Sequence, residues 1–199
     1  MISLSAFFWI LVGFFSLAGL LRGWTKEILS TFGLVLSLFA LDLLAPRILG
    51  LLGQAAGSAG QQLDPLILRR QQFLVLSLIH LVISFFSYQG PALAGQITGG
   101  RLNIPSRRSL QERLLGGIMG GINGYLVIGT FWAFLEYQIT ADGYQRLFPG
   151  ELYPFAQITR PDPNSPAWAL ASRLPLPLLA PYLPFIMVAV ALFVIVVLV

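Results

Sequence analysis

The chain has 199 residues, of which 56% are hydrophobic and only 10% are charged, and its mean hydropathy is +0.79. Since a soluble domain usually carries about 25% charged residues, this composition predicts a protein whose main solvent is lipid. The chain contains no cysteine, which excludes a disulfide framework, a thiolate metal site and a cysteine nucleophile. The net charge of +4 is interpreted as a membrane-topology signal, and nucleic-acid binding is not predicted.

Five apolar segments are candidates for membrane-spanning helices, because about 20 apolar residues match the thickness of a bilayer core. They cover approximately residues 2–21, 28–45, 73–88, 114–137 and 178–199. The first is expected to be retained rather than cleaved as a signal peptide, since no basic residue precedes it. The fifth has a second interpretation, as a buried or interfacial segment. The predicted fold class is therefore an all-α, polytopic transmembrane helix bundle of four to five spans, forming a single integral membrane domain over residues 1–199.

The connections between these segments carry signals of their own. Pro46 and Arg47 are predicted to end the second span. Ser109 and Glu112 stand at capping-box spacing just before the fourth span and predict a helix start there. Residues 138–177 are predicted to lie outside the membrane. Their many prolines predict extended turns with at most a short helix after Ser165.

The basic residues predict an orientation in the membrane. Alternation of the spans places on one side Arg22, Lys26, Arg101, Arg107, Arg108 and Arg113. It places on the other side Arg47, Arg69, Arg70, Arg146, Arg160 and Arg173. The first group lies in shorter connections and is about twice as dense, so its side is predicted to be cytoplasmic and the N-terminus outside.

Small residues mark where helices are expected to pack, because helices in lipid associate through close backbone approach. In the fourth span, glycines recur every four residues in two adjacent rows, as is typical of a glycine zipper. A further pair with the same spacing lies at the end of the first span. The predicted packing residues are Gly19, Gly23, Gly116, Gly117, Gly120, Gly121 and Gly124. Asn123 lies among them and is predicted to form a hydrogen bond to a neighbouring helix.

A family resemblance follows from short motifs in three of the spans. Arg22-Gly23 is followed by Glu27, Gly33 and Ala40, and Glu112-Arg113-Leu114-Leu115-Gly116 is followed by Gly120 and Gly124. In order and spacing, over roughly residues 6–137, these motifs resemble the colicin V production protein (CvpA) family. The resemblance implies a small bacterial inner-membrane protein of about four helices, linked to colicin V production or export and to envelope maintenance, with no established reaction. It transfers no catalytic residue.

His80 is the only histidine and lies in the middle of the third span, with Ser77 and Ser84 on the same helical face. A polar ring at this depth is a functional hypothesis by default. We favour a neutral imidazole that is hydrogen-bonded to a neighbouring helix, so no cofactor is predicted. The alternatives are a proton carrier and an axial ligand to haem or a chlorophyll-type pigment, which needs only one such ligand.

Charged residues near the span ends have structural interpretations. Asp42 and Arg47 are expected to form a local or interhelical ion pair, with a proton relay at Asp42 as the alternative. Arg22 is interpreted as a cation that reaches the interface, and Glu27 as a carboxylate near a helix start, where the dipole favours negative charge. Partner docking at this turn is the functional alternative.

The leading hypothesis is a non-enzymatic inner-membrane protein of the colicin V production type, acting through helix packing and protein partners in envelope or export functions. Its expected partners are membrane lipid and other integral membrane proteins, or a second copy of the chain. One alternative is an accessory subunit of an energy-transducing or photosynthetic membrane complex. Another is a small channel or transporter. The sequence presents no metal cluster, catalytic triad or phosphate loop, so no enzyme and no metal site are predicted.

Overall fold

The fold is a helix bundle, seen in a computed structural model that describes residues 3–58, 64–97, 109–140 and 143–198. The elements in chain order are α1 Leu4–Arg22, α2 Trp24–Ser58, α3 Pro65–Ile97, α4 Leu110–Glu136, β1 Tyr137–Thr140, β2 Gly143–Arg146, α5 Pro166–Ala171, α6 Pro175–Leu179 and α7 Leu183–Leu198, with a 3-10 turn at Ala180–Tyr182 between α6 and α7. Within the described ranges, five stretches are long and apolar enough to cross a membrane: Leu4–Arg22, Trp24–Leu51, Pro65–Gly90, Leu110–Glu136 and Pro175–Phe193. The predicted all-α, polytopic class is confirmed.

Helix boundaries differ from those expected at two prolines. The prediction that Pro46 and Arg47 end the second helix is wrong, because α2 continues through Pro46 to Ser58. A proline inside a helix removes one backbone hydrogen bond, and neighbouring helices can hold the direction of the chain in spite of this loss. Here Leu41 and Ala45, in the turn before Pro46, are fully buried in the core. At the other proline, α3 already begins at Pro65, well before the predicted span.

The helix α4 is the centre of the bundle. In its most apolar window 61% of the residues are buried, against 39% or less for the other four candidate spans. Its start is capped as the sequence predicts, since the Ser109 Oγ accepts a hydrogen bond from the Glu112 N–H at 3.1 Å. The helix α1 packs against α4, and α2 packs against both α3 and α4. This arrangement leaves the opposite faces of α1 and α3 covered with exposed apolar side chains, as lipid contact requires.

The backbones of α1 and α4 meet at glycines. A Cβ atom added to Gly19 would lie 2.9 Å from the Gly120 Cα, and one added to Gly116 would lie 2.8 Å from the Gly23 Cα. A Cβ on Gly124 would lie 2.7 Å from the Phe15 Cβ. Cβ atoms in proteins are not found this close to other heavy atoms, so even an alanine at these positions would force the two helices apart.

The second row of glycines on α4 contacts α1 less closely. A Cβ on Gly117 would meet the end of the flexible Leu20 side chain at 2.6 Å, while one on Gly121 would make only ordinary contact with Ser16. The Ser16 hydroxyl donates a 2.8 Å hydrogen bond to the Gly117 carbonyl, which joins the two helices at this level. The structure thus places both rows at the α1–α4 contact inside the bundle.

Gly23 forms the corner between α1 and α2. Its backbone has φ 82° and ψ 164°, in the region that favours glycine, and its N–H donates a 2.8 Å hydrogen bond to the Gly19 carbonyl. Because no residue separates α1 from α2 except Gly23, the chain reverses direction within one residue. Arg22 and Glu27 are thereby brought to the same end of the bundle.

The segment after α4 is folded rather than merely extended. Strands β1 and β2 form an antiparallel hairpin with Tyr137 opposite Arg146, which the sequence analysis did not predict. The short helix expected after Ser165 is α5, and the Ser165 Oγ accepts a hydrogen bond from the Trp168 N–H. Farther along, Pro175 of α6 packs closely on Gly129 of α4.

The last helix runs from one end of the bundle to the other. It follows α6, which lies against α4, and it continues along α2 until Phe193 contacts Phe32 with ring centroids 6.0 Å apart. Phe32 lies in the third turn of α2, close to the Gly23 corner. The direction of α7 is therefore opposite to that of α2 and is compatible with a fifth crossing.

We predict that Gly120→Leu lowers the stability of the bundle by about 1 to 3 kcal/mol, as overpacking of a filled core does, because the new side chain meets the backbone of Gly19. Gly13→Leu is the matched control, since a Cβ on Gly13 meets nothing within 4 Å. Thermal unfolding in mild detergent measures both. Equal melting temperatures for the two variants would contradict a packing role for Gly120.

Candidate functional site

A buried polar cluster lies where the Gly23 corner meets α3 and α4. This Glu27 cluster consists of Arg22, Glu27, Ser30, Thr31, Tyr88 and Asn123. The carboxylate of Glu27 is only 1% exposed and accepts a hydrogen bond from the Arg22 Nη1 at 2.6 Å. Arg22 keeps a quarter of its side chain exposed, so the ion pair faces the bundle interior on one side and the surface on the other.

Asn123 connects this ion pair to α4. Its Nδ2 donates hydrogen bonds to the Glu27 Oε2 at 2.8 Å and to the Glu27 carbonyl at 3.0 Å. Its Oδ1 accepts one from the Thr31 hydroxyl at 2.7 Å. Every hydrogen-bonding group of the fully buried amide is therefore oriented by the α2 backbone and side chains. The interhelical hydrogen bond expected for Asn123 is present in the structure.

Tyr88 connects the same cluster to α3. The Arg22 Nη2 donates a hydrogen bond to the Tyr88 carbonyl at 3.1 Å, and the guanidinium lies 4.5 Å from the centroid of the Tyr88 ring. The phenol ring also packs edge-on against Phe15 of α1. One arginine thus holds together the ends of α1, α2 and α3.

The other family-like motif residues do not join this cluster. Glu112 is half-buried and Arg113 is exposed in the first turn of α4, before the first glycine of the packed rows. The structure therefore brings together Arg22, Gly23 and Glu27, and among the described residues neither Glu112 nor Arg113 forms a hydrogen bond or ion pair with them.

A second buried cluster lies at the opposite end of α4. This Glu136 cluster consists of Glu136, Arg146, Tyr153, Arg160 and Trp168. The fully buried Glu136 carboxylate is bound at its Oε1 by the Arg146 Nε and the Arg160 Nη2, both at 2.7 Å. At its Oε2 it accepts hydrogen bonds from the Tyr153 hydroxyl at 2.7 Å and the Arg160 Nε at 3.1 Å.

The arginines of the Glu136 cluster are held by an aromatic ring and by backbone carbonyls. Both guanidiniums lie over the Trp168 ring, at 4.1 Å for Arg146 and 4.6 Å for Arg160. Arg160 also donates to the Leu147 carbonyl at 2.8 Å. One carboxylate at the end of α4 therefore anchors the hairpin, the proline-rich segment and α5.

Two phenols at this end of the bundle are shielded from solvent. Burial, and then the neighbouring Glu136 carboxylate, raise the pKa of Tyr153, so this phenol keeps its proton and continues to donate to Glu136. Burial raises the pKa of Tyr144 as well, and its hydroxyl donates to the Asp42 Oδ1 at 3.0 Å. The ion pair expected between Asp42 and Arg47 is not formed in the described part of the chain, since Asp42 binds this hairpin tyrosine instead.

His80 lies between the two clusters and is fully buried. Its Nδ1 shares a 2.8 Å hydrogen bond with the Ser37 hydroxyl of α2. Phe131 and Phe134 of α4 contact its ring edge-on, with centroids 5.2 Å and 6.2 Å away. The favoured hydrogen bond to a neighbouring helix is present, whereas its Nε2 has no hydrogen-bond partner among the described residues.

An open cleft of about 520 Å³ adjoins the Glu136 cluster, and its lining includes Arg70, Phe155 and Trp168. Its arginines are already engaged, because Arg70 donates to the Pro154 carbonyl at 3.0 Å and Arg160 binds Glu136. In the described ranges, no three histidine, aspartate or glutamate side chains come together as metal ligands. The arrangement can fix helices and hold a polar ring in the bundle interior, and the hydroxyl–imidazole pair that it contains, Ser37 and His80, is fully buried.

The sequence indicates the Glu27 cluster only in pieces and gives no indication of the Glu136 cluster. Local motifs indicate Arg22, Glu27 and Asn123 one at a time, but their convergence depends on the Gly23 corner and the depth of α4. No motif in the sequence singles out Glu136. The available signal was that two arginines and a tryptophan follow it within a proline-rich segment, and nothing in their spacing shows that they meet.

Comparison with known families gives one finding. A family model described as Colicin V production protein matches residues 4–160 of the chain. The match includes α1 to α4, the hairpin and Arg160, so both buried clusters fall almost wholly within it. Comparison with curated proteins and with solved structures gives no significant match.

We predict that Glu27→Gln destabilises the bundle by about 3 kcal/mol, the lower end of the range for breaking a buried ion pair, because Arg22 remains partly exposed. Glu112→Gln is the matched control, since this half-buried acid forms no ion pair in the described part of the chain. Unfolding in detergent with increasing denaturant measures the difference. If the two variants unfold alike, the Glu27 cluster does not hold the corner together.

Proposed function

The chain belongs to the colicin V production protein family, and we propose that it serves envelope or export functions as a non-enzymatic inner-membrane protein that acts through helix packing and protein partners. The observation that carries this proposal is the match to the family over residues 4–160, together with five helical stretches that are long and apolar enough to cross a membrane. The family membership makes it a membrane protein. The role, the partners and the orientation are the proposed part.

The use of the buried charges supports a non-enzymatic role. Glu27 and Glu136 are each saturated by donors from other helices or from the proline-rich segment. A general acid or base must reach a substrate proton, and neither carboxylate is exposed to one. Their contacts support a structural role for both clusters.

The location of the glycines constrains where a partner can bind. We propose Gly19, Gly23, Gly116, Gly117, Gly120, Gly121 and Gly124 as packing residues of the α1–α4 contact. Since α1 already covers both glycine rows, the rows are not free to bind another protein or a second copy of the chain. Other integral membrane proteins, or a second copy, therefore contact the apolar outer faces, which are also the faces that contact lipid.

We further propose that the Glu27 cluster lies at the cytoplasmic side of the inner membrane and that the Glu136 cluster and the N-terminus lie outside. The support is the density of basic residues, which favours the Gly23 corner and the connection before α4 as the cytoplasmic side.

A second candidate function, the accessory subunit of a pigment-containing or energy-transducing complex, has one observation in its favour. The Nε2 of His80 is buried and lacks a hydrogen-bond partner among the described residues, as an axial ligand would in the absence of its macrocycle. Visible absorbance of the protein purified at native level separates this candidate from the first.

The orientation is tested with single cysteines in this cysteine-free chain. We expect an impermeant thiol reagent added to intact cells to label Asn164→Cys, which is exposed in the proline-rich segment, and not Thr25→Cys, which is exposed beside the Gly23 corner. Labelling after cell lysis is the control that both thiols can react. The reverse pattern in intact cells would invert the proposed topology.

The role is tested by complementation. A colicin V-producing bacterium that lacks its own family member should recover release of the peptide when it expresses this chain, and expression of Gly13→Leu should restore release equally well. Gly120→Leu should restore it much less, because the variant weakens the α1–α4 contact. Immunodetection of each variant in the membrane fraction controls for expression. No recovery by the well-expressed wild-type chain would contradict the proposed role.

A further inference from the structure

Four buried polar atoms lie in a row along α3. They are Ser77 Oγ, His80 Nε2, Ser84 Oγ and Tyr88 OH, and none has a hydrogen-bond partner within the described part of the chain. Their spacing of three, four and four residues puts them on one helical face. We call them the α3 polar row. At 1.5 Å rise per residue, His80 and Tyr88 are about 12 Å apart along the helix axis.

The α3 polar row faces the bundle and not the surrounding lipid. His80 is fully buried and Ser84 is 6% exposed, whereas the adjacent Leu81 and Phe85 are more than half exposed. Buried polar groups in proteins nearly always have a hydrogen-bond partner, and an ordered water commonly supplies it where the protein does not. Four such atoms in one line are therefore better explained by a chain of bound water molecules than by four separate unsatisfied polar groups.

One end of the row leads to charged groups. Tyr88, its last member, belongs to the Glu27 cluster and lies under the Arg22 guanidinium. Since a quarter of the Arg22 side chain is exposed, this end is where water can enter.

The other end is closed by apolar side chains. Leu76, which follows the row toward the Glu136 cluster, is fully buried, and Phe134 beside His80 is 3% exposed. The next polar side chain in that direction, Gln72, already donates its amide to the Tyr137 carbonyl. The side chains that pack on the His80 ring from α2 and α4 are Ser37, Phe131 and Phe134.

We propose that the α3 polar row binds a file of water molecules that connects His80 with the Glu27 end of the bundle and gives this histidine proton access from that side only. The charged and titratable groups along the file are Arg22, Glu27 and Tyr88 at its open end. A proton that reaches His80 cannot continue toward the Glu136 cluster unless Leu76 and Phe134 move. His80 is in this sense a proton-binding site in the interior of the membrane domain, a property that goes beyond the proposed envelope or export role.

Cysteine reactivity tests the file directly, because a thiol reacts as its thiolate, which forms in water and not in hydrocarbon. A small charged methanethiosulfonate is applied to intact cells and to inverted membrane vesicles, with Thr25→Cys marking the side of the Glu27 cluster. We expect Ser84→Cys to react only from the side on which Thr25→Cys reacts. Phe85→Cys is the matched control at the same depth, and Leu76→Cys probes the closed end. Neither should react from either side.

The proposal is overturned if Ser84→Cys reacts no faster than Phe85→Cys, or if Leu76→Cys reacts as readily as Ser84→Cys. A Ser84→Cys protein that fails to fold is recognised by its thermal unfolding in detergent. In that event Ser77→Cys, with Leu78→Cys as its exposed neighbour, provides the same comparison and the same criterion.

A second measurement uses the single histidine, which gives one set of ring signals after selective ¹⁵N-histidine labelling of a protein with a histidine-free tag. The ring N–H should exchange with deuterated water, and Ser84→Val should slow this exchange on the order of tenfold or more by blocking the file. Phe85→Val is the control. Unchanged exchange in a folded Ser84→Val protein contradicts the file. So does a stoichiometric haem or chlorophyll band that is lost in His80→Gln, since a macrocycle would then occupy Nε2.

Discussion

The backbone contact between α1 and α4 is the constraint on which the rest of the bundle depends. At Gly19, Gly116 and Gly120 the two helices approach so closely that no side chain fits between them. This approach, rather than burial of large apolar side chains, sets the depth at which the Gly23 corner lies along α4. In lipid the hydrophobic effect does not hold helices together, so dispersion contacts between backbones and interhelical hydrogen bonds must do so.

The depth of the Gly23 corner then determines whether the charges beside it are buried and which partners they have. Because Gly23 lies beside Gly116, the first turn of α2 reaches the level of Asn123, and Glu27 becomes a buried carboxylate with an arginine and an amide as partners. A carboxylate buried without such partners would be prohibitively costly at this position. The glycine contact and the Glu27 cluster therefore depend on each other. The packing of α1 on α4 creates the buried site, and the polar bonds within it fix the orientation of four helices.

A buried carboxylate lies at each end of α4, and the two are neutralised by different parts of the chain. At the Glu27 end the charges belong to the helices themselves, and the cluster joins helix to helix. At the Glu136 end the arginines come from the segment that follows β1, and the cluster joins that segment to the bundle. Between them α3 presents polar atoms to the interior over several turns. Because buried ion pairs fix the helices at both ends, the bundle can keep these polar atoms in its interior without repacking around them.

The sequence by itself determined the membrane class, the approximate positions of five apolar helices, the caps at Ser109 and Ser165, and the family. These properties follow from local composition and short spacing, which a single segment carries alone. Only the tertiary structure decided that α2 continues past Pro46, that Asp42 binds Tyr144 instead of Arg47, and that Glu136 gathers two arginines. Each of these outcomes depends on which distant helix or loop lies opposite a given residue. In a membrane protein an apolar helix face can contact either lipid or another helix, so the apolar pattern does not show which segments pack together. Close packing in the folded bundle decides it.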